Sequence, residues 1–114
     1  MTKYTDNASG GSHNTEANVT ASVDYLPLLA EYEIFGTRSY ANEHEYKKQA
    51  QYAYYVAGNS KVKYQHSSTG SAASWWERSP LYNFSTYFCR VYLSGNASTT
   101  DAQIARGVAP AFLI

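Results

Sequence analysis

The 114-residue sequence has a single cysteine, Cys89. That excludes an intramolecular disulfide framework and a cysteine-based zinc cluster, so packing must hold the core. The chain also lacks an excess of either charge, because nine Lys and Arg balance nine Asp and Glu. No broad basic field exists to follow a phosphate backbone, and nucleic acid is not an expected partner. Apolar runs are short. None approaches the roughly 18 residues that cross a bilayer, and the start, MTKYTDNASGGSHNTEANVT, lacks the apolar stretch of a secretory signal. Neither membrane insertion nor ordinary export is therefore expected, and the sequons at Asn7, Asn18, Asn83 and Asn96 read as products of Asn, Ser and Thr richness.

Chemical motifs are equally scarce. Gly10 and Gly11 stand in a polar stretch with no GKS or GKT after them, so there is no phosphate loop. His13, His44 and His66 have no partner at a motif spacing. Glu43, His44 and Glu45 are adjacent, and adjacent helical residues point in different directions, which makes a solvated helix start a better reading than a metal site. A serine hydrolase built on His66 would need a nucleophile elbow such as Gly-x-Ser-x-Gly, and none occurs. No catalytic residue, metal or cofactor is expected.

Aromatic residues, by contrast, are plentiful: they form 16% of the chain, as much as the charged residues, and 12 of them are Tyr. The length suits one ordinary domain. Residues 1–22 are almost wholly small and polar, and predict a tail or linker unable to bury enough surface to offset ordering. Such a start suggests a domain cut from a longer protein, or an arm that pairs with partner subunits. The ligand-binding domain is expected over residues 23–114.

Within it, Tyr25, Leu26, Leu28 and Leu29 predict a short buried strand, with Pro27 at an edge or entry position. Residues 31–35 predict a helical turn stopped by Gly36. The spacing of Tyr46, Ala50, Ala53 or Tyr54, and Ala57 predicts an amphipathic helix over residues 43–57, stopped by Gly58 and Asn59. The period then changes to two. Strands are expected at 61–64, 74–78, 87–93, 97–100 and 108–114, with Ser94 and Gly95 as a two-residue hairpin turn and the apolar end VAPAFLI as a buried strand. Helices first and strands later argue for an α+β domain.

Alternation assigns faces to the later strands. Cys89, Val91 and Leu93 should point inward, making Cys89 a buried, inert thiol, while Arg90 and Tyr92 point outward. Adjacent Trp75 and Trp76 should face opposite sides. Loop residues Asn83, Ser85 and Thr86, with Asn96, Ser98, Thr100, Asp101 and Gln103, join the outward set. Tyr, Ser, Asn and Arg are the mixture that recognition loops use. The same pattern also fits a solvated face on which Tyr satisfies β propensity.

The motifs Ser-Trp-Trp-x-Arg-Ser-Pro (74–80), Phe-Cys-x-Val (88–91), Gly95 and Gly-Val-x-Pro-Ala-Phe (107–112) resemble a family of uncharacterised domains common in gut bacteria and their prophages. Leu28-Leu29, Glu33, Phe35-Gly36 and YAYYVAGNSKVK (52–63) extend the resemblance to residues 23–114. It implies a C-type lectin-like fold, related to the formylglycine-generating-enzyme type of domain, with about two helices and a small, mostly antiparallel twisted sheet.

Some similar domains are variable proteins of diversity-generating retroelements, which display altered side chains on a fixed backbone. The resemblance therefore implies a ligand-binding face of Glu77, Leu81, Asn83, Ser85, Tyr87, Arg90, Tyr92, Asn96, Ser98, Thr100, Asp101, Gln103 and Ile104. Glu77 stands where the family usually has Leu, which is easier to explain on a binding face than in a core.

The chain has neither the Glu-Pro-Asn type of triplet nor the Trp-Asn-Asp of calcium-dependent lectins, and lone Cys89 cannot replace the cysteine pair or copper ligands of catalytic relatives. The resulting expectation is a non-catalytic recognition domain for a protein or glycan ligand on a cell surface, carried by a phage virion or bacterial surface. The alternative is a structural tail-fibre or adhesin tip whose face packs in a homo-oligomer.

Overall fold

A hairpin opens the chain in the computed structural model, which describes residues 2–6, 14–65, 68–83 and 86–109. Strand β1 (Thr2–Asp6) pairs antiparallel with β2 (Val19–Val23), with Thr2 opposite Val23 and Asp6 opposite Val19. This corrects the expectation of a polar tail. Composition predicts disorder because it weighs apolar burial alone, whereas this hairpin is held by polar groups: Lys3 and Asp6 are buried.

The strand expected around residues 25–29 is also corrected. Tyr25 is 93% and Leu26 63% exposed, and only from Pro27 does the chain turn inward, burying Leu29 and Ala30. The Leu29 carbonyl accepts a hydrogen bond from the Arg78 N–H at 2.9 Å, docking this segment across a later strand. Helix α1 (Glu31–Phe35) follows as expected, and Gly36 closes it in the left-handed conformation, φ 69°.

Residues 43–57 do not form one helix. They make a 3-10 turn at Tyr46–Lys48 and a single helical turn, α2 (Ala53–Val56), separated by extended chain. The expected apolar stripe is too weak to be buried, since Tyr46, Ala50 and Tyr54 are exposed. Polar groups fix the break. Tyr52 N–H donates to the Glu33 carbonyl at 2.8 Å, and Gln51 Nε2 donates to the Ile34 carbonyl at 2.9 Å.

Strand β3 (Lys63–Gln65) pairs antiparallel with β4 (Ser68–Ala73), which the sequence reading did not anticipate. Strands β5 (Trp75–Pro80), β6 (Tyr87–Val91) and β7 (Ala97–Asp101) form an antiparallel sheet in that order. The β5–β6 register shifts between Trp76 and Pro80, so β5 bulges around residues 77–79. The β6–β7 turn is a three-residue loop, Leu93, Ser94 and Gly95, closed by Gly95 N–H to the Tyr92 carbonyl at 2.8 Å with Gly95 at φ 88°. Gly107 bridges the free side of β5 in parallel with Trp75, donating to the Ser74 carbonyl and accepting from Trp76 N–H, both at 2.9 Å. No strand is formed at Val108 and Ala109; the remainder of the terminal strand expectation, residues 110–114, lies outside the described residues.

The architecture is thus α+β, with two short α-helices and antiparallel sheets among the described residues. Leu29, Ile34, Tyr55, Trp75 and Val91 form the core, flanked by Phe35, Tyr52 and Ala109. Trp76 emerges on the other side of the sheet, edge-on to Phe88 at 6.4 Å. Among the described residues, no helix is long and apolar enough to cross a membrane.

Candidate functional site

Among the described residues, one cluster of charged groups is buried and bonded internally, and another lines an open groove. The closed cluster joins β1, α1 and β5. Arg78 Nη1 meets Glu33 Oε1 at 2.5 Å, while its other nitrogens donate to Thr5 Oγ1 and the Tyr4 carbonyl. Lys3 Nζ holds the second Glu33 oxygen at 3.0 Å. Burial works against ionising Glu33, but the Arg78 bond and charge, the Ala30 N–H and Lys3 outweigh it and keep the carboxyl below the ordinary glutamate value. Glu31 gathers the backbone N–H groups of Ser39, Tyr40 and Ala41, and Glu45 accepts from Ser79 Oγ and Asp6 N–H. Every one of these bonds is internal, so the cluster serves as architecture.

Glu77 sits beside it and corrects the reading of that residue as part of a binding face. It is only 2% exposed, on the same side of β5 as Trp75, and neither carboxylate oxygen has a hydrogen-bond partner among the described residues. Burial, and then the nearby Glu31 and Glu45 charges, push its pKa well up, which favours the neutral acid. Cys89 is fully buried as expected, and burial followed by the Glu77 charge pushes its thiol up as well. Neither group is accessible to a substrate.

Leu81 and Thr100 are likewise buried, not outward: β5 ends by turning Leu81 inward, and Arg106 Nη2 approaches Thr100 Oγ1 at 3.4 Å from above. Leu93 departs in the other direction, since the turn leaves it 43% exposed. Asn83, Tyr87, Asn96, Gln103 and Ile104 are exposed, whereas Ser98 and Asp101 are half-buried. Asp101 accepts the Gln103 N–H at 3.0 Å and so shapes its own loop. Ser85 lies outside the described residues.

The open site is a groove of about 850 Å³ between the β3–β4 hairpin, β6 and the segment around Gly107. Of the residues expected on the ligand face, Arg90 and Tyr92 line it. Register explains why Ser98 accompanies them: it lies opposite Arg90, and Arg90 Nε donates to its hydroxyl at 3.3 Å. Arg90 also covers the Tyr92 ring, its guanidinium carbon 5.0 Å from the centroid. Burial, and then the positive charge of Arg106, lower the Arg90 pKa.

The sequence reading missed the opposite wall. Lys63, Tyr64 and Gln65 line the groove from β3, and Arg106 and Val108 from the segment after β7. Lys63 Nζ lies 5.1 Å from the Trp75 ring centroid, bridging hairpin and sheet. Alternation could mark Lys61 and Lys63 as one face, but Lys61 lies over the Phe35 and Tyr55 rings, and only Lys63, at the start of β3, lines the groove.

Among the described residues, no group of three or more His, Cys, Asp or Glu side chains is arranged to hold a metal. The chain belongs to the family described as a domain of unknown function, DUF6273, which matches residues 1–114 and so takes in the N-terminal hairpin. Neither a curated protein nor a solved structure matches the chain.

Proposed function

We propose that this domain is a non-catalytic recognition module of C-type lectin-like architecture that binds its ligand in the groove flanked by Arg90 and Tyr92. The groove carries the reading. Its volume of about 850 Å³ falls within the range that ligand sites occupy, and rigid aromatic and cationic side chains border it. Two short helices set between an N-terminal hairpin and the later antiparallel strands agree with a lectin-like scaffold. Framework residues Trp75, Cys89 and Val91 are buried, while Tyr92 and Asn96 on the same hairpin stay exposed. Such outward positions vary at little cost in stability, typically within about 0.5 kcal/mol. This is the property that a variable protein of a diversity-generating retroelement requires.

Binding is tested by probing immobilised domain with glycans and bacterial surface proteins. Tyr92→Ala should weaken any ligand about tenfold without lowering the melting temperature; undiminished binding would remove the groove from the proposal. Diversification is tested in the gene's neighbourhood. A near-copy of the 3′ end differing at adenines, beside a reverse transcriptase, is the expected arrangement, and a neighbourhood with neither element contradicts it.

The exposed run Val23, Tyr25 and Leu26 favours a second reading, a structural tip domain in an oligomer. These residues, interrupted only by Asp24, are 80%, 93% and 63% exposed, and clustered apolar exposure of that degree marks contact surfaces. Sedimentation separates the readings: a stable oligomer dissociated by Tyr25→Ser and Leu26→Ser supports the second, and a monomer with an active groove supports the first.

A further inference from the structure

Three cations line the groove, and no acid answers them among the described residues. Lys63, Arg90 and Arg106 all border it, and the described lining includes neither Asp nor Glu. The chain as a whole is neutral, so this is a local imbalance and not a consequence of composition. The contrast with Arg78 is direct. That structural guanidinium is given a carboxylate, Glu33, at 2.5 Å.

Arg90 and Arg106 instead meet neutral groups: Arg106 Nη1 donates to its neighbour's carbonyl, that of Ala105, at 2.8 Å, and the other contacts are long. Arg90 reaches the hydroxyls of Ser98 and Ser74 at 3.3 and 3.5 Å, and Arg106 that of Thr100 at 3.4 Å. Arg106 Nε is buried with no hydrogen-bond partner among the described residues. Buried N–H donors are nearly always satisfied, and a guanidinium is best satisfied by a planar oxyanion bound through two nitrogens. Both guanidiniums line the groove, and the Arg106 charge helps to lower the Arg90 pKa, so the two repel one another. An anion between them would satisfy the idle donor and relieve the repulsion together.

We infer that the groove binds an acidic saccharide, with the sugar carboxylate held between Arg90 and Arg106 and the ring against exposed tyrosine. The inference rests on the recognition reading above. Tyr64 and Tyr92 are 60% and 41% exposed at the groove, offering flat amphipathic faces, and Gln65 supplies polar groups for hydroxyls. A peptide is less suited. Peptides commonly bind by adding a strand to a free sheet edge, and β5 beside the groove is already paired with β6 on one side and bridged by Gly107 on the other, which leaves only the outer edges of the β3–β4 hairpin for the peptide arm below to test.

The experiment is calorimetric titration of the intact domain with sialylated and uronate-containing oligosaccharides, each beside its neutral parent, with sulfated analogues and a glutamate-rich peptide as further arms. A carboxylated saccharide should bind about tenfold or more tightly than its parent. Its affinity should fall between about 0.05 and about 0.5 M salt. Arg90→Gln and Arg106→Gln should each remove most of the preference, Arg90→Lys should restore part of it, and the distant Lys47→Gln should leave it intact, with thermal melts verifying that each variant folds.

Equal binding of neutral parents, or arginine variants that keep the preference, would overturn the acidic ligand while leaving recognition standing. Binding of the sulfated analogues alone would replace the carboxylate by a sulfate, and binding of the peptide alone would replace the saccharide; either overturns the inference as stated. No binding in any arm would count against both this inference and the recognition reading.

Discussion

Arg78 and Glu33 lie 45 positions apart in sequence and meet at 2.5 Å in the interior, with Lys3 on the second carboxylate oxygen. One ion cluster thereby fastens the first strand, the first helix and the strand that carries Trp75 and Trp76. Removing one member leaves an uncompensated buried charge, which typically costs about 3 to 5 kcal/mol. Arg78→Met should lower the unfolding free energy from urea titration by that much, and the double variant Arg78→Met with Glu33→Leu should recover a large part. A single variant as stable as wild type would show that the pair is not buried in solution.

Lys3→Ala examines the N-terminal hairpin. Lys3 is 6% exposed and contacts both Glu33 and Tyr52, so its loss should destabilise the whole domain by roughly 1 to 3 kcal/mol. If residues 1–22 behaved as a tail, the same variant would melt like wild type.

Glu77 and Glu33 predict opposite responses to pH. Folded Glu77 keeps its proton to a higher pH than an unfolded glutamate, near 4.3, so the folded state binds more protons between the two values. Its contribution to stability is present below the unfolded value and is lost as pH rises toward the folded one. Glu45, whose pKa burial also raises, acts in the same direction. Glu33 is depressed, so its contribution is present above the ordinary value and is lost as pH falls through the folded value. Glu77→Gln should therefore flatten the decline between acid and neutral pH and melt higher than wild type at pH 8, by about 4 °C for each kcal/mol recovered. Superimposable wild-type and variant profiles would contradict the burial of an unpartnered carboxylate.

Gly95 predicts a local effect. Its φ of 88° is costly for residues with a side chain, and an added Cβ would lie 3.4 Å from Val62. Gly95→Ala should cost roughly 1 kcal/mol or somewhat more, read from denaturant midpoints. An unchanged midpoint would mean that the loop adopts another turn.

What could be read in the sequence was what local rules govern. Gly36 ended α1, alternation separated Trp75 from Trp76 and turned Cys89 and Val91 inward, and strands appeared near β3, β5, β6 and β7. The misses share one cause, polar groups buried in partnership. Glu77 and Lys3 look solvent-facing by type, and only tertiary contacts reveal that their neighbours enclose them. The helix expected over residues 43–57 failed because Gln51 and Tyr52 bond the chain around α1 instead of their own neighbours. At the site, alternation found Arg90 and Tyr92, whereas Lys63, Tyr64 and Arg106 join them only through strand pairing and chain return.

Amide chemical shifts of isotopically labelled domain, followed as the tightest-binding saccharide is added, address the groove most directly. Shifts concentrated at residues 63–65, 90–93 and 105–108, with the β1–β2 hairpin unmoved, are the predicted result. Shifts centred on residues 23–26, or spread over the surface while the groove stays silent, would contradict it.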